Sequence, residues 1–298
     1  MTVAAGGRGA GTGRVGPMPV TFNTVLRGVG VDPAQVRLVR HQDHRAERGR
    51  TPYELWRDDR PKFEVYQHIQ QIKSRAKFEA PYWASFVGTR DGETLFVGLY
   101  AVRYLGLLRA DSPRPHRAGV DEAGSCDEYE MVVQPSMADL DGRLVIDWGD
   151  GARAWIQRAD RQDKTVVEIR RRFEEPEFPG FLEFREPLSK IEGLPKGWVE
   201  VLRSSRGVYL LTCPKTKEQY VGSATGEECF WQRWVEYART GHGGNVGLKS
   251  RDPSDYQVSI LEVAGTAATP DEIRTMEGRW QRKLQSHEMG LNRNTAGA

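Results

Sequence analysis

Cysteine, histidine and net charge are all scarce in this chain. Three cysteines, Cys126, Cys213 and Cys229, occur among 298 residues. They are too widely spaced for a Cys-x-x-Cys pair and have no histidine at a zinc-ligand interval, so neither a disulfide framework nor a zinc module organises the fold. The same usage predicts a reduced, cytoplasmic setting. Long apolar runs are missing too: no stretch would span a bilayer, the first residues lack the apolar core of a secretory signal, and no membrane partner is expected. The formal net charge is only +2, from 43 Lys and Arg against 41 Asp and Glu. General attraction to a polyanion is therefore modest, and affinity for nucleic acid has to come from a local basic patch, another domain or a second subunit.

The length accommodates two domains and a linker. Residues 1–18 are glycine-rich with arginine and read as a flexible tail. A β-rich domain is expected over 19–185, a connector over 186–204 and a small α/β domain over 205–298, an α+β chain overall. In the first domain, Asp32-Pro-Ala-Gln35 opens a short helical stretch. Arg60 to Arg75 carries Phe63, Tyr66, Ile69 and Ile72 at a helical period, with Pro61 in its first turn. The charged segment Val39 to Arg50 reads either as a phosphate-contacting arm or as a solvated loop, since acidic residues are mixed in. Tyr82 to Val87 and Thr94 to Val102 flank an Asp-Gly turn and predict a hairpin. Further β-rich runs follow at 129–133, 144–148, 154–157 and 166–169, which predicts a curved, mostly antiparallel sheet or barrel with one or two helices. The acidic, proline-punctuated stretch Phe173 to Pro187 marks the boundary, although its phenylalanines suit packing onto a domain.

Beyond a short helix around Trp198 and Val201, Gly207-Val-Tyr-Leu-Leu-Thr212 and Gln219-Tyr-Val-Gly222 flank the turn chemistry of Pro214 to Lys217. They predict two antiparallel strands with tyrosines side by side. Gly207 and Gly222 leave room for a backbone or a phosphate to come close. Glu228 to Arg239 has helical spacing, with Phe230, Trp234 and Ala238 on one stripe and Arg233 and Tyr237 together on an adjoining face. Arg233 is either a solvated charge or a fork of donors for phosphoryl oxygens. Thr269-Pro-Asp-Glu272 forms a capping box that starts a last helix, along which Ile273, Met276, Trp280 and Leu284 make an apolar stripe. Glu277 falls inside that stripe. A buried carboxylate there needs an arginine partner, a cation or a cleft wall.

These elements in this order resemble the GIY-YIG nuclease superfamily: Gly207-Val-Tyr209, Tyr220-Val-Gly222, Arg233, Glu277 and a C-terminal asparagine in Gly290-Leu-Asn292, across about the last third of the chain. The resemblance implies a short antiparallel sheet flanked by helices and a phosphodiester hydrolase using one Mg²⁺ or Mn²⁺ per active site, held by Glu277 with water and phosphate oxygen filling the shell. By the same resemblance Tyr209 would accept a proton from the attacking water, Tyr220 would orient water or phosphate, and Arg233 would stabilise charge at the scissile phosphate. Tyr237 matches a tyrosine that some members carry one helical turn after the arginine. His242, in a glycine-rich loop, either assists the chemistry or is a solvated loop residue. The asparagine is Asn292 or Asn294, and Asn292, which directly follows a leucine, fits better. Gly222 and Lys249 are candidate nucleic-acid contacts.

The N-terminal part resembles PUA-like modules, which include readers of modified bases, in having a Tyr-Trp strand followed by Gly-Leu-Tyr-Ala-Val. That resemblance makes Tyr82 and Trp83, along with Tyr100, Tyr104, Trp148 and Trp155, candidates to stack on an extruded base, whereas core filling is the alternative for each. The combined expectation is a metal-dependent endonuclease acting on double-stranded DNA, of restriction or defence type, with the N-terminal domain selecting a site or a modified base. A homodimer fits if both strands are cut. The alternatives are a structure-selective repair or recombination nuclease and a catalytically inert nucleic-acid-binding protein.

Overall fold

The computed structural model describes residues 19–42, 49–150, 154–226, 229–243, 248 and 255–292. The expectations for the 1–18 tail, for Lys249 and for Asn294 lie outside these residues, as do positions 43–48 of the charged segment. Backbone proximity divides the chain into two compact units. One joins Met1–Gln42, His68–Arg109 and Ala123–Arg172; the other joins Asp43–Gln67, Ala110–Glu122 and Phe173–Ala298. A single boundary at the 186–204 connector therefore does not describe the chain, because two stretches from its first half belong to the second unit.

The first unit is a mainly antiparallel sheet with helices. Its elements are α1 (Phe22–Gly28), β1 (Val36–His41), β2 (Ile69–Gln71), α4 (Arg75–Phe78), β3 (Tyr82–Gly88), β4 (Thr94–Leu107), β7 (Cys126–Val133), β8 (Leu144–Ile146), β9 (Ile156–Arg158) and β10 (Val166–Ile169). The main path runs β10-β8-β4-β3-β1-β9, with β7 pairing to both β4 and β2. Among the described strands only β1 and β3 run parallel. The expected hairpin is present as β3 and β4, and β4 pairs first with β8 and further along with β7. Register shifts fall beside Gly98 and Gly106, both at positive φ, so the long strand bends where glycine permits it. Asp32 caps a 3₁₀ turn by accepting from the Ala34 N–H at 2.9 Å, the short helical stretch foreseen there. One core gathers Phe22, Leu26, Val36, Leu38, Phe86, Phe96 and Trp148. A smaller one holds Val39, Phe78, Trp83 and Tyr129.

The helix expected over 60–75 is shorter. Its period continues past His68, where α3 (Arg60–His68) stops, but Ile69–Gln71 pair with Cys126–Glu128 instead. Inter-strand pairing overrides a weak local helical preference.

The second unit contains α2 (Pro52–Asp58), α3, the two-residue ladder β5 (Ser112–Pro113) and β6 (Val120–Asp121), β11 (Arg185–Pro187), α5 (Lys196–Ser204), β12 (Gly207–Thr212), β13 (Gln219–Ala224), α6 (Cys229–Thr240), β14 (Gln257–Val263) and α7 (Pro270–Leu284). The four-stranded antiparallel sheet is ordered β11-β14-β12-β13. Physical ties explain why α2 belongs here. Thr51 and Glu54 form a capping box, Arg57 Nη2 donates to Gly193 O at 3.0 Å, and Arg57 pairs with Glu175 at 3.2 Å. A Cβ on Gly193 would come within 2.7 Å of the Glu54 carboxyl carbon, so glycine is what lets the 3₁₀ segment 188–193 close over that buried acid. The connector packs as its phenylalanines suggested: Phe184 stacks on Trp234 at 5.3 Å, and Trp198 Nε1 donates to Pro176 O at 2.8 Å.

Candidate active site on the four-stranded sheet

Strand alternation sets which side chains meet. Tyr209 lies opposite Gly222 and Leu211 opposite Tyr220, so both tyrosines share the face that packs on Phe230, Trp234 and Tyr237 of α6. Gly222 makes this possible: a Cβ there would lie 2.6 Å from Tyr209 Oη and 2.8 Å from Tyr220 Cε1. Its close approach is therefore to the tyrosine rings, and this is the geometric reason for glycine at the position. Gly207 faces a different constraint, since a Cβ on it would collide with the Glu262 carbonyl across β14. Just beyond, the β12–β14 register shifts between Val208 and Tyr209.

The tyrosines and the arginine converge. Tyr209 Oη donates to Tyr237 Oη at 3.1 Å, Arg233 Nη2 donates to Tyr237 Oη at 3.3 Å, and the guanidinium lies 4.9 Å from the Tyr237 ring centroid. Arg233 also pairs with Glu236 at 2.8 Å. Burial pushes the Tyr209 phenol above its ordinary value, with Tyr220 adding and Arg233 opposing. The Tyr220 and Tyr237 phenols are raised by burial as well. Burial works against the Arg233 charge, but the tyrosine oxygens beside it outweigh that and hold the guanidinium firmly protonated.

Glu277 comes from α7, whose start is the foreseen capping box: Thr269 Oγ1 accepts from Glu272 N at 3.3 Å, and Thr269 N donates to Glu272 Oε2 at 2.7 Å. Of the expected stripe only Ile273 is fully buried; Met276, Trp280 and Leu284 are half-buried. Trp280 instead uses its indole N–H on Glu262 Oε2 at 2.7 Å, beside Arg279 on the same carboxylate at 2.9 Å. These bonds fasten the helix to β14. Half-buried Glu277 accepts from Ser223 Oγ and from Gln281 Nε2, the latter at 2.9 Å. It has no ion pair among the described residues, and desolvation raises its carboxyl above the usual range, although Ser223, Arg233, Arg274 and His287 oppose the shift. Its field also reaches Tyr220.

One half-buried carboxylate without an ion pair among the described residues suits a hydrated divalent ion, which needs a single protein ligand and several waters. No cluster of three or more acidic, histidine or cysteine side chains able to hold a metal occurs among the described residues.

Asn292 is nearly sealed and fully engaged with backbone: Oδ1 accepts from Val221 N at 2.8 Å, and Nδ2 donates to Val221 O at 2.7 Å. It positions the strand carrying Tyr220 and Gly222. His242 is half-exposed in the turn after α6, one residue before Gly243, which packs on the Tyr237 ring. Sequence reasoning missed Ser223, Gln281 and Glu262. Strand β14 had a legible signal in the alternation of Tyr256, Val258 and Ile260, but Ser223 and Gln281 had none.

The stacking candidates of the first unit separate by burial. Trp83 is 0% exposed, donates Nε1–H to Phe78 O at 3.0 Å, and packs against Phe78 and Tyr129 at 4.4 and 4.8 Å. A base could reach it only by opening that core, so the stacking expectation for Trp83 is corrected to a packing role. Tyr100 and Trp148 are buried too, Tyr82 and Trp155 are half-buried, and Tyr104 is exposed, with Arg75 5.0 Å from its ring.

No family model matches this chain, and no curated protein or solved structure matches it either. No helix among the described residues is long and apolar enough to cross a membrane.

Proposed function

We propose that the second unit is a GIY-YIG-type phosphodiester hydrolase acting on double-stranded DNA, and that the first unit, PUA-like in our reading, selects the site or a modified base. The observation that carries this reading is the grouping of Arg233 with three hydroxyl-bearing rings beside Glu277, a half-buried carboxylate that makes no ion pair among the described residues. Arg233, permanently charged and partly desolvated, suits the equatorial oxygens of a phosphate under attack. Tyr209, Tyr220 and Tyr237 stay protonated at neutral pH because burial disfavours their anions; Tyr209 and Tyr237, both sealed from solvent, serve by holding Arg233 in place, and Tyr220, slightly more open, would donate to phosphate or water. Glu277, fixed by Ser223 and Gln281, would hold a single Mg²⁺ or Mn²⁺, which supplies charge neutralisation and a more acidic water. For Tyr209, which is fully buried, to take a proton from water, the site first has to open to solvent and the phenol has to be brought down by nearby positive charge. Asn292 acts by holding β13.

A restriction or defence role fits a nuclease carrying a separate recognition unit. The alternatives are a structure-selective repair nuclease and an inert DNA-binding protein. Nicking of supercoiled plasmid with Mg²⁺ or Mn²⁺ decides among them: the parent should cut, and Glu277→Ala and Arg233→Ala should not. Equal cutting by all three removes the assignment, while parental binding without cutting supports the inert alternative. Deleting residues 1–190 would also remove α2 and its bond to residue 193, so site choice is better read on the full chain. Digestion of unmodified, methylated, hydroxymethylated and glucosylated DNA side by side supplies that reading.

A further inference from the structure

We propose that Arg40, Trp148 and Lys164 of the first unit form a binding site for a phosphate group, either free inorganic phosphate or a small phosphate monoester. Arg40 follows Val36 and Leu38 on the core-facing side of β1 and is only 8% exposed, yet its Nε has no hydrogen-bond partner among the described residues. Trp148, 4% exposed, leaves its indole N–H without a partner as well. Lys164, 6% exposed, donates to Trp148 O at 2.8 Å, which occupies one of its three protons. The Lys164 ammonium lies 4.9 Å and the Arg40 guanidinium carbon 5.6 Å from the same indole centroid. Two cations thus lie over one ring, and two buried donors beside it are unsatisfied among the described residues.

The balance of charge points the same way. Asp147 is the carboxylate whose field favours the Lys164 ammonium, and its Oδ1 is already engaged by Gly149 N at 2.8 Å. Burial pushes both Arg40 and Lys164 below their ordinary values, and Arg40 adds to the pressure on Lys164. Buried donors that lack an acceptor are costly, and buried like charges more so, so a site built this way is completed by an anion.

The chemistry of the donors selects the class of anion. All three groups only donate, so the ligand brings acceptors; a nucleobase edge, which also needs its own donors matched, fits poorly. With Arg40 and Lys164 over the indole ring, the site offers positive charge and the Trp148 N–H in place of an open stacking platform. A guanidinium fork, an ammonium and an indole N–H together suit a tetrahedral oxyanion. This inference does not rest on the nuclease reading.

The test is titration calorimetry on the full chain at constant ionic strength, with inorganic phosphate and a deoxynucleoside 5′-monophosphate as separate ligands and chloride as the comparator. Saturable phosphate binding is expected, and tighter binding of the mononucleotide would assign the monoester source over free phosphate. Arg40→Met should weaken binding about ten- to a hundredfold, the loss of a charge-assisted hydrogen bond. Trp148→Phe, which keeps a ring but removes the N–H, should weaken it by roughly tenfold or less. Without phosphate, Arg40→Met should unfold at the same or higher denaturant than the parent, because an uncompensated buried charge is gone; a merely structural arginine would show the reverse. Absence of saturable phosphate binding by the parent, or one affinity shared by parent and both variants, overturns the proposal.

Discussion

Replacing Asn292 by alanine tests how a residue from the far end of the chain holds the strand at the centre of the candidate site. β13 is the outer strand of its sheet, so the Val221 N–H and C=O have no neighbouring strand to pair with. Asn292 takes that place with two hydrogen bonds of 2.8 and 2.7 Å, while Leu291 N donates to Gln219 O at 2.8 Å just before it. Gly290 is required because a Cβ would collide with that same Gln219 carbonyl. Each buried backbone group left unpaired costs about 1–3 kcal/mol. Two such groups at an edge that water can partly reach give an expected loss of about 2–4 kcal/mol. Urea unfolding of the second unit measures the loss, and hydrogen exchange at the Val221 amide reads it locally, where exchange should quicken markedly. Asn292→Asp keeps the acceptor for Val221 N but sets a carboxylate against Val221 O, so it should be as damaging as alanine. A change below about 0.5 kcal/mol in both variants, the size of an ordinary surface substitution, would refute the argument.

Gly222→Ala should cost about 1–3 kcal/mol through overpacking and should disturb the Tyr209–Tyr237 bond, seen in denaturant unfolding and near-ultraviolet dichroism. Trp83→Ala should cost about 3–5 kcal/mol by leaving a cavity beside Phe78 and Tyr129, and a stable variant with altered DNA preference would reinstate the stacking role. Glu277→Gln should stabilise the metal-free protein at pH 7–8. Because desolvation raises this carboxyl in the folded state, its favourable contribution is complete below the ordinary glutamate range and is lost as pH rises through the folded value. The gain from glutamine should therefore shrink toward pH 4 in parallel unfolding curves; a gain that does not depend on pH would reject the assigned cause.

Much of the second unit was legible because its signals are local. The Thr269 capping box, the glycines at 207 and 222 and the strand–turn–strand pattern each act within a few residues, and a helix places Arg233 and Tyr237 together whatever surrounds it. The proton state of the site was not legible: the raised tyrosines and the raised Glu277 follow from burial, which no spacing states. Trp83 shows the same limit, since its residue type suits both a stacking surface and a core, and only its neighbours decide.

The sequence by itself determined where the capped helix at 270 and the paired strands at 207 and 219 begin, that Arg233 and Tyr237 share a helix face, and that neither closely spaced cysteines nor a long apolar run is present. Tertiary structure alone decided that residues 43–67 belong with the C-terminal unit, that Ile69–Gln71 leave the helix for a strand, that Asn292 clamps Val221, and that Arg40, Trp148 and Lys164 meet. The reason is physical. Turns, caps and periodicity are settled by neighbours along the chain, whereas pairing, burial and uncompensated charge arise between residues that sequence distance does not relate.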